Sequence, residues 1–221
     1  MKTCIAFALV VASGLLGRAS LAAEKLHTSF QPGETWLDDR GQHIQAHGGG
    51  ILKQGDTYYW FGEDRGKESG RFGPVERAVA CFSSKDLMNW TFRRQVVHGG
   101  PPETLPTRGF ILERPKVYFN AKSGKYVLYA HLDSGRYTYA RVGVYTCDTV
   151  DGDYKFVHSF RPLDKESRDI GQFVDDDGAA YLIFESRPSK GFYIAQLSDD
   201  YLTVAKETCF IHKPLEGGRC D

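Results

Sequence analysis

Four short segments of the 221-residue sequence place an ionisable side chain just before a run of β-forming residues. They are Ala46-His47-Gly48-Gly49, Leu112-Glu113-Arg114-Pro115, Ser167-Arg168-Asp169-Ile170 and Leu215-Glu216-Gly217-Gly218. Two carboxyl groups on opposite sides of a glycosidic bond can cleave it, because one protonates the leaving oxygen while the other activates a water molecule. Glu113, Asp169 and Glu216 are therefore the candidate catalytic residues.

The acid of such a pair must stay protonated near neutral pH, which requires a nearby carboxylate or an apolar wall that raises its pKa. We expect Glu216 and Asp169, on adjacent blades, to form such a pair. His47, Arg114 and Arg168 stand in the same segments and are predicted to bind the substrate. The alternative interpretation is that these residues are ordinary solvated charges near turns.

The elements that must position these residues are predicted by a pattern that occurs three times. Each repeat has an apolar strand, a turn with a glycine and a strand with tyrosine, followed by a second hairpin. The first hairpins cover residues 50–61, 116–129 and 172–184, and the second hairpins cover 79–92, 142–156 and 193–204. Because glycine tolerates the positive φ of a tight turn, each segment predicts a β-hairpin.

Two hairpins per repeat make a four-stranded antiparallel blade. The turn glycines Gly55, Gly124 and Gly178 lie 69 and 54 residues apart, which suits propeller blades with loops of variable length. The predicted fold class is therefore all-β, a β-propeller whose blade starts face one central funnel. A β-sandwich is the alternative, but it does not explain the paired recurrence.

The three repeats end near Lys206, and the segment around Glu216 is the predicted start of a fourth blade. The sequence thus holds about three blades and the beginning of another, which predicts a C-terminally truncated propeller. We expect the 221 residues on their own to be inactive, because the funnel is open on one side and no complete base is present.

Residues 1–22 are predicted to be a secretory signal peptide, because Lys2 precedes a short apolar run that ends in small residues at Ala22. The mature domain is then 23–221. Removing Lys2 and Arg18 with the signal leaves 26 basic and 28 acidic residues, a balance that indicates no nucleic-acid partner. We expect a secreted or periplasmic protein without a membrane partner after signal cleavage.

The sequence predicts no metal site. Asp175-Asp176-Asp177-Gly178 lacks the ligand spacing of a calcium loop and is better explained as a hairpin turn. The mature cysteines are too widely spaced for a zinc site. The sequence is compatible with one or two disulfides and also with four separate buried thiols. They are Cys81, Cys147, Cys209 and Cys220.

At these segments the sequence resembles glycoside hydrolase family 43, whose members are five-bladed β-propellers. In that family an Asp before the phenylalanine and Asp-Asp-Asp-Gly turn of the third blade tunes the pKa of the acid, and Asp169 stands there. The family's general acid is a Glu that opens a segment of the next blade. Glu216 matches it, although the following proline of the family motif is missing here.

The family's usual base is an Asp at the start of the first blade, where this sequence has Ala46-His47-Gly48-Gly49-Gly50. That stretch and Glu113-Arg114-Pro115-Lys116-Val117 resemble the exo-β-1,3-galactanase branch, which relies on this Glu and on an amide side chain from a late blade. The resemblance implies inverting hydrolysis of O-glycosidic bonds without a cofactor. The implied substrate is an oligo- or polysaccharide of plant type, such as galactan or the side chains of hemicellulose. Alternatives are a non-catalytic carbohydrate-binding propeller and an arabinofuranosidase or β-xylosidase of the same family.

Overall fold

The computed structural model describes residues 26–66, 77–98, 105, 110–188 and 190–212. Within these ranges the chain forms strands and one 3₁₀ turn, Pro162–Asp164, and none of its helical structure is long and apolar enough to cross a membrane. The strands are β1 His47–Gln54, β2 Thr57–Asp64, β3 Ala78–Ser84, β4 Thr91–Val97, β5 Ile111–Asn120, β6 Lys125–Asp133, β7 Arg141–Cys147, β8 Lys155–Phe160, β9 Ile170–Val174, β10 Ala180–Ser186, β11 Gly191–Leu197 and β12 Val204–His212.

These strands form three separate four-stranded sheets. Their orders are β1-β2-β3-β4, β5-β6-β7-β8 and β9-β10-β11-β12, and every neighbouring pair is antiparallel. Each sheet is therefore one up-and-down blade built from two consecutive hairpins. The predicted all-β fold and its four-stranded antiparallel blades are confirmed.

The first turn of each blade lies where the sequence predicts it. Gly55, Gly124 and Gly178 have φ angles of 61°, 68° and 83°, in the left-handed region that glycine enters without steric cost. The end of the third blade differs from the prediction, because β12 continues to His212 instead of stopping near Lys206. A full-length fourth strand is needed to pair with the whole of β11, from Leu197 back to Gly191.

The hydrophobic core lies between successive blades rather than inside any one of them. Phe61 and Cys81 of the first blade pack with Leu128 of the second, whereas Tyr129 of the second blade packs with Phe184 of the third. Successive residues of a strand point to opposite faces, so Leu128 and Tyr129 serve the two different cores. This arrangement explains why β6 is buried along almost its whole length.

The segment before β1 covers the other face of the first blade. Trp36 contacts Trp60, which in turn packs against Trp90, with ring centroids 5.7 and 5.2 Å apart. The Trp36 indole N–H also donates to the carbonyl of Met88. These contacts hold the chain that leads into β1.

Three further predictions can be compared with the structure. Asp175 and Gly178 close a hairpin turn, because the Gly178 N–H donates to the Asp175 carbonyl. No disulfide joins the described cysteines Cys81, Cys147 and Cys209. The predicted signal peptide, Cys220 and the predicted start of a fourth blade at Glu216 lie outside the described residues.

Candidate active site

The starts of the first strands of the three blades lie side by side, with β1 next to β5 and β5 next to β9. His47 pairs with Glu63 of β2, and Glu113 pairs with His131 of β6. Asp169 stands in the equivalent place, because its carbonyl accepts the N–H of Glu185 from β10. The three predicted residues therefore occupy the same register position in successive blades.

The first two blades contain a β-bulge at this point, between His47 and Gly50 and between Glu113 and Lys116. A β-bulge inserts an extra residue that bends the strand and re-aims its side chains. Pro115 fits inside β5 only because the bulge removes the need for a ladder hydrogen bond there. The bulges turn the segments that precede them toward the funnel.

Lys116 joins the two bulges. Its ammonium group donates to the carbonyl oxygens of Gly48 and Gly49 in the first blade, at 3.1 and 3.3 Å, and to those of Arg114 and Pro115 in the second, also at 3.1 and 3.3 Å. Burial lowers the Lys116 pKa to about 8, and the Arg114 charge acts in the same direction. The side chain therefore fixes two backbone segments that carry predicted site residues.

Glu63 is a second link between these blades. Its side chain is almost fully buried, and Oε2 receives the guanidinium of Arg65 at 2.7 Å. Oε1 accepts the backbone N–H of Arg114 at 3.1 Å, and His47 Nδ1 lies 3.6 Å from Oε2. Because one carboxylate contacts His47 and Arg114, it sets the spacing of the first two blades at the funnel.

Arg114 connects the second blade with the third. Its Nε and one terminal nitrogen donate to the two carboxylate oxygens of Asp169, at 3.1 and 2.9 Å. Such a two-bond pair fixes orientation as well as distance. Both side chains are partly exposed, 41% for Arg114 and 30% for Asp169, so this pair lies at the surface of the funnel.

Glu113 is the best-positioned carboxylate of the described residues. Oε1 accepts the Tyr137 hydroxyl at 3.1 Å, and Oε2 lies 3.4 Å from His131 Nδ1. Burial by itself raises the pKa of Glu113, but His131, Tyr137 and the Arg65 guanidinium outweigh it, and the pKa falls below its ordinary value. Glu113 is thus an anion at neutral pH and is suited to accept a proton or a hydrogen bond.

Arg168 lies beneath this surface rather than in the open funnel. Its side chain is 8% exposed and donates to Asp133 Oδ2 at 2.8 Å, to the Tyr137 carbonyl at 2.9 Å and to Glu166 at 3.0 Å. These contacts give Arg168 a structural role among protein groups. Substrate binding by Arg168 stays a prediction, and the same is true of His47 and Arg114.

The structure thus brings together His47, Glu113, Arg114 and Asp169, while Glu216 lies outside the described residues. The expected effect of Asp169 on the pKa of Glu216 therefore stays a prediction. The sequence interpretation missed several polar residues next to the site, of which all but the exposed Tyr137 are buried. They are Glu63, Lys116, His131, Asp133 and Tyr137. Glu63, His131 and Asp133 were detectable as polar side chains that interrupt apolar second strands.

The chain matches the sequence profile described as glycosyl hydrolases family 43 over residues 46–217. It is similar to an exo-β-1,3-galactanase from Phanerochaete chrysosporium, solved with galactose, at 40% identity and a TM-score of 0.75, over 81% of this chain and 42% of that one. An exo-β-1,3-galactanase from Clostridium thermocellum is 35% identical with a TM-score of 0.70, over 79% and 39%.

A β-1,3-galactosidase solved with galactodeoxynojirimycin is also 35% identical with a TM-score of 0.70, over 78% of this chain and 64% of that one. No curated protein sequence matches the chain. The chain spans about two fifths of the length of the two galactanases. The family profile match, over residues 46–217, spans all three blades.

Proposed function

This chain belongs to glycosyl hydrolase family 43, and from that membership we propose that it acts as an inverting, exo-acting glycoside hydrolase on β-1,3-linked galactan. The observation that carries the proposal is the convergence of Glu113 with the Arg114–Asp169 pair at the starts of adjacent blades. The similar structures named as β-1,3-galactanases and a β-1,3-galactosidase support the choice of sugar and linkage.

The proposed reaction needs two carboxyl groups in different protonation states. Inverting hydrolysis needs one protonated acid and one group that activates water from the other side of the sugar. Glu113 is anionic at neutral pH, so it suits the side of the reaction that accepts a proton or orients a hydroxyl group. The proton donor must then be another residue, and we assign that role to Glu216.

The predicted signal peptide would bring this activity outside the cytoplasm, where polysaccharide substrates occur. Secretion is part of the proposal, and N-terminal sequencing of protein recovered from the culture medium tests it. A mature N-terminus close to residue 23 is the expected result. Protein that keeps residues 1–22 would contradict it.

One observation favours a second candidate function. The start of β1 carries His47 and three glycines instead of a carboxylate, which also suits a propeller that binds carbohydrate without cleaving it. A binding module would retain β-1,3-galactan and release no sugar, whereas the proposed enzyme releases galactose. An arabinofuranosidase or β-xylosidase would instead cleave the corresponding aryl glycosides.

The test uses the protein expressed with any coding sequence that follows Asp221 in its gene. We expect galactose release from β-1,3-galactan, with the opposite anomer formed first in a proton NMR time course. Glu216→Gln should reduce kcat about 10²–10⁴-fold, because it removes the proton donor. Glu207→Gln, an exposed change on β12, is the matched control and should keep full activity. Retained activity in Glu216→Gln would refute the assignment of the acid.

A further inference from the structure

Four ionisable side chains extend from the funnel into the protein as one connected series, the relay formed by Glu113, His131, Asp133 and Arg168. Glu113 Oε2 lies 3.4 Å from His131 Nδ1, and His131 Nε2 lies 3.0 Å from Asp133 Oδ2. The same Asp133 oxygen accepts the Arg168 guanidinium at 2.8 Å. Acidic and basic groups therefore alternate along the relay.

Exposure falls steeply from Glu113 to the two groups that follow it in the relay, and the Arg168 side chain at the far end is 8% exposed. The Glu113 side chain is 14% exposed, whereas those of His131 and Asp133 are 1% and 0% exposed. Only Glu113 can therefore meet a sugar, and the other three groups can act on the reaction only through it.

We propose that His131 is a positioning residue that presents an imidazolium to Glu113 and so keeps this carboxylate anionic and correctly oriented in the funnel. The proposal rests on the proposed function, in which Glu113 is the anionic group of the active site. Asp133 and Arg168 complete the arrangement, because they hold the imidazole ring from its other side.

The orientation follows from the contacts of the two carboxylates. Each oxygen of Glu113 has its own neighbour, Tyr137 for Oε1 and His131 for Oε2, so rotation of the carboxylate loses both. Asp133 is fixed as well, since its Oδ1 accepts the backbone N–H of Ser134 at 2.8 Å and of Tyr139 at 2.7 Å. A side chain held in this way cannot follow the ring if His131 moves.

The charge balance of the four groups favours a protonated ring. Two carboxylates and one guanidinium leave one negative charge, and an isolated buried charge is costly. A proton on His131 brings the four groups to neutrality. Among the described residues, the other charged or titratable side chains near the relay are Arg65, Tyr137 and Arg77 at the Glu113 end and Glu166 at the Arg168 end.

The direction of each titration agrees with this assignment. Burial lowers the pKa of His131, but its contacts with Asp133 and Glu113 outweigh burial and raise the pKa above its ordinary value. The pKa of Asp133 is lowered, because the His131 contact and backbone N–H groups outweigh burial. The stability that His131 contributes is therefore present below its ordinary pKa of 6.5 and is lost as the pH rises through the higher folded value.

The direct test is a pH titration of uniformly ¹³C,¹⁵N-labelled protein by NMR, with the His131 ring signals assigned by through-bond correlation to the backbone. We expect an imidazolium at pH 7, and we expect Glu113→Gln to shift its titration to lower pH. A neutral His131 ring at pH 7, or a titration that Glu113→Gln leaves unchanged, would overturn the proposal. This readout needs no activity, and it uses wild type and Glu113→Gln even if His131→Asn folds poorly.

Kinetics provide the second test. His131→Asn should lower kcat/KM by up to about 10²-fold, because Glu113 is then displaced from its position in the active site, and should alter the alkaline limb of the pH profile. His158→Asn is the matched control, because His158 lies on β8 and contacts the Leu202 carbonyl instead of the relay. Equal activity of the two variants would refute the relay. If the wild type cleaves no glycoside while the NMR results hold, the proposed function fails and the relay stands.

Discussion

Gly48 and Arg114 occupy the same position of two neighbouring β-bulges, and both have left-handed backbone angles, with φ of 58° and 55°. Glycine accepts this conformation freely, whereas for arginine it stores strain of about 1–3 kcal/mol. The two residues contact the same side chain, because Glu63 Oε1 accepts the Arg114 N–H and lies against Gly48. The strained arginine is the one that reaches Asp169 in the next blade.

Replacing Gly48 by alanine should destabilise the protein more than the backbone angle alone explains. A Cβ at this position would lie 2.8 Å from Glu63 Oε1 and 3.2 Å from Arg114 Cδ. Gly124→Ala is the matched control, because Gly124 also has a positive φ but has nothing within 4 Å of an added Cβ. We expect Gly124→Ala to cost about 1–2 kcal/mol, and Gly48→Ala about 1–3 kcal/mol more, in urea unfolding. Equal losses would show that the site relaxes freely.

Replacing each of the two arginines that are predicted to bind substrate should change the free energy of unfolding by different amounts. Arg168→Met removes the guanidinium, one of the two cationic partners of the buried Asp133 carboxylate, so we expect a loss of about 3–5 kcal/mol in the free energy of unfolding. Arg114→Met breaks a partly exposed pair and should cost about 0–1 kcal/mol. Denaturant unfolding of both variants measures the difference. A stable Arg168→Met protein with only a raised KM would instead favour direct substrate binding.

The contribution of Lys116 to the free energy of unfolding should increase as the pH rises above 8. Its pKa is about 8 in the folded state and 10.5 in its ordinary state, so between these values the unfolded chain binds more protons. The advantage of wild type over Lys116→Met should therefore grow by about 1 kcal/mol per pH unit from pH 8 to 10. Lys122→Met is the control, because an exposed pair with Asp199 raises the Lys122 pKa. An advantage that stays constant would contradict the burial of a charged Lys116.

Glu113 should contribute stability at neutral pH that is lost in acid. Its pKa lies below the ordinary value of 4.5, so its contribution is present above that value and disappears as the pH falls through the folded pKa. Glu113→Gln should be about 1–3 kcal/mol less stable than wild type at pH 7, and the gap should narrow at acidic pH. Thermal unfolding of wild type and Glu113→Gln from pH 7 to acidic pH measures this difference. Glu207→Gln is the control, and its stability should differ little from that of wild type at every pH. A gap that is the same at every pH would mean that charge is not involved.

The blades and the placement of the site residues were predictable from the sequence because they depend on local rules. A turn glycine between two strands with apolar and aromatic residues specifies a hairpin wherever it occurs, and three repetitions specify three blades. The same repetition placed His47, Glu113 and Asp169 at equivalent points. The structure confirms the blades and shows that the three residues share one register position.

The groups that surround these residues could be identified only from the tertiary structure. Whether His131 meets Glu113 depends on the register of β5 against β6, and a bulge changes that register without a clear sequence signal. Lys116 looks like a surface residue in the sequence, yet the packing of two bulges surrounds it with four carbonyls. Hairpins form from neighbouring residues, whereas ionisation and orientation at the site depend on partners that are brought together only when the blades pack.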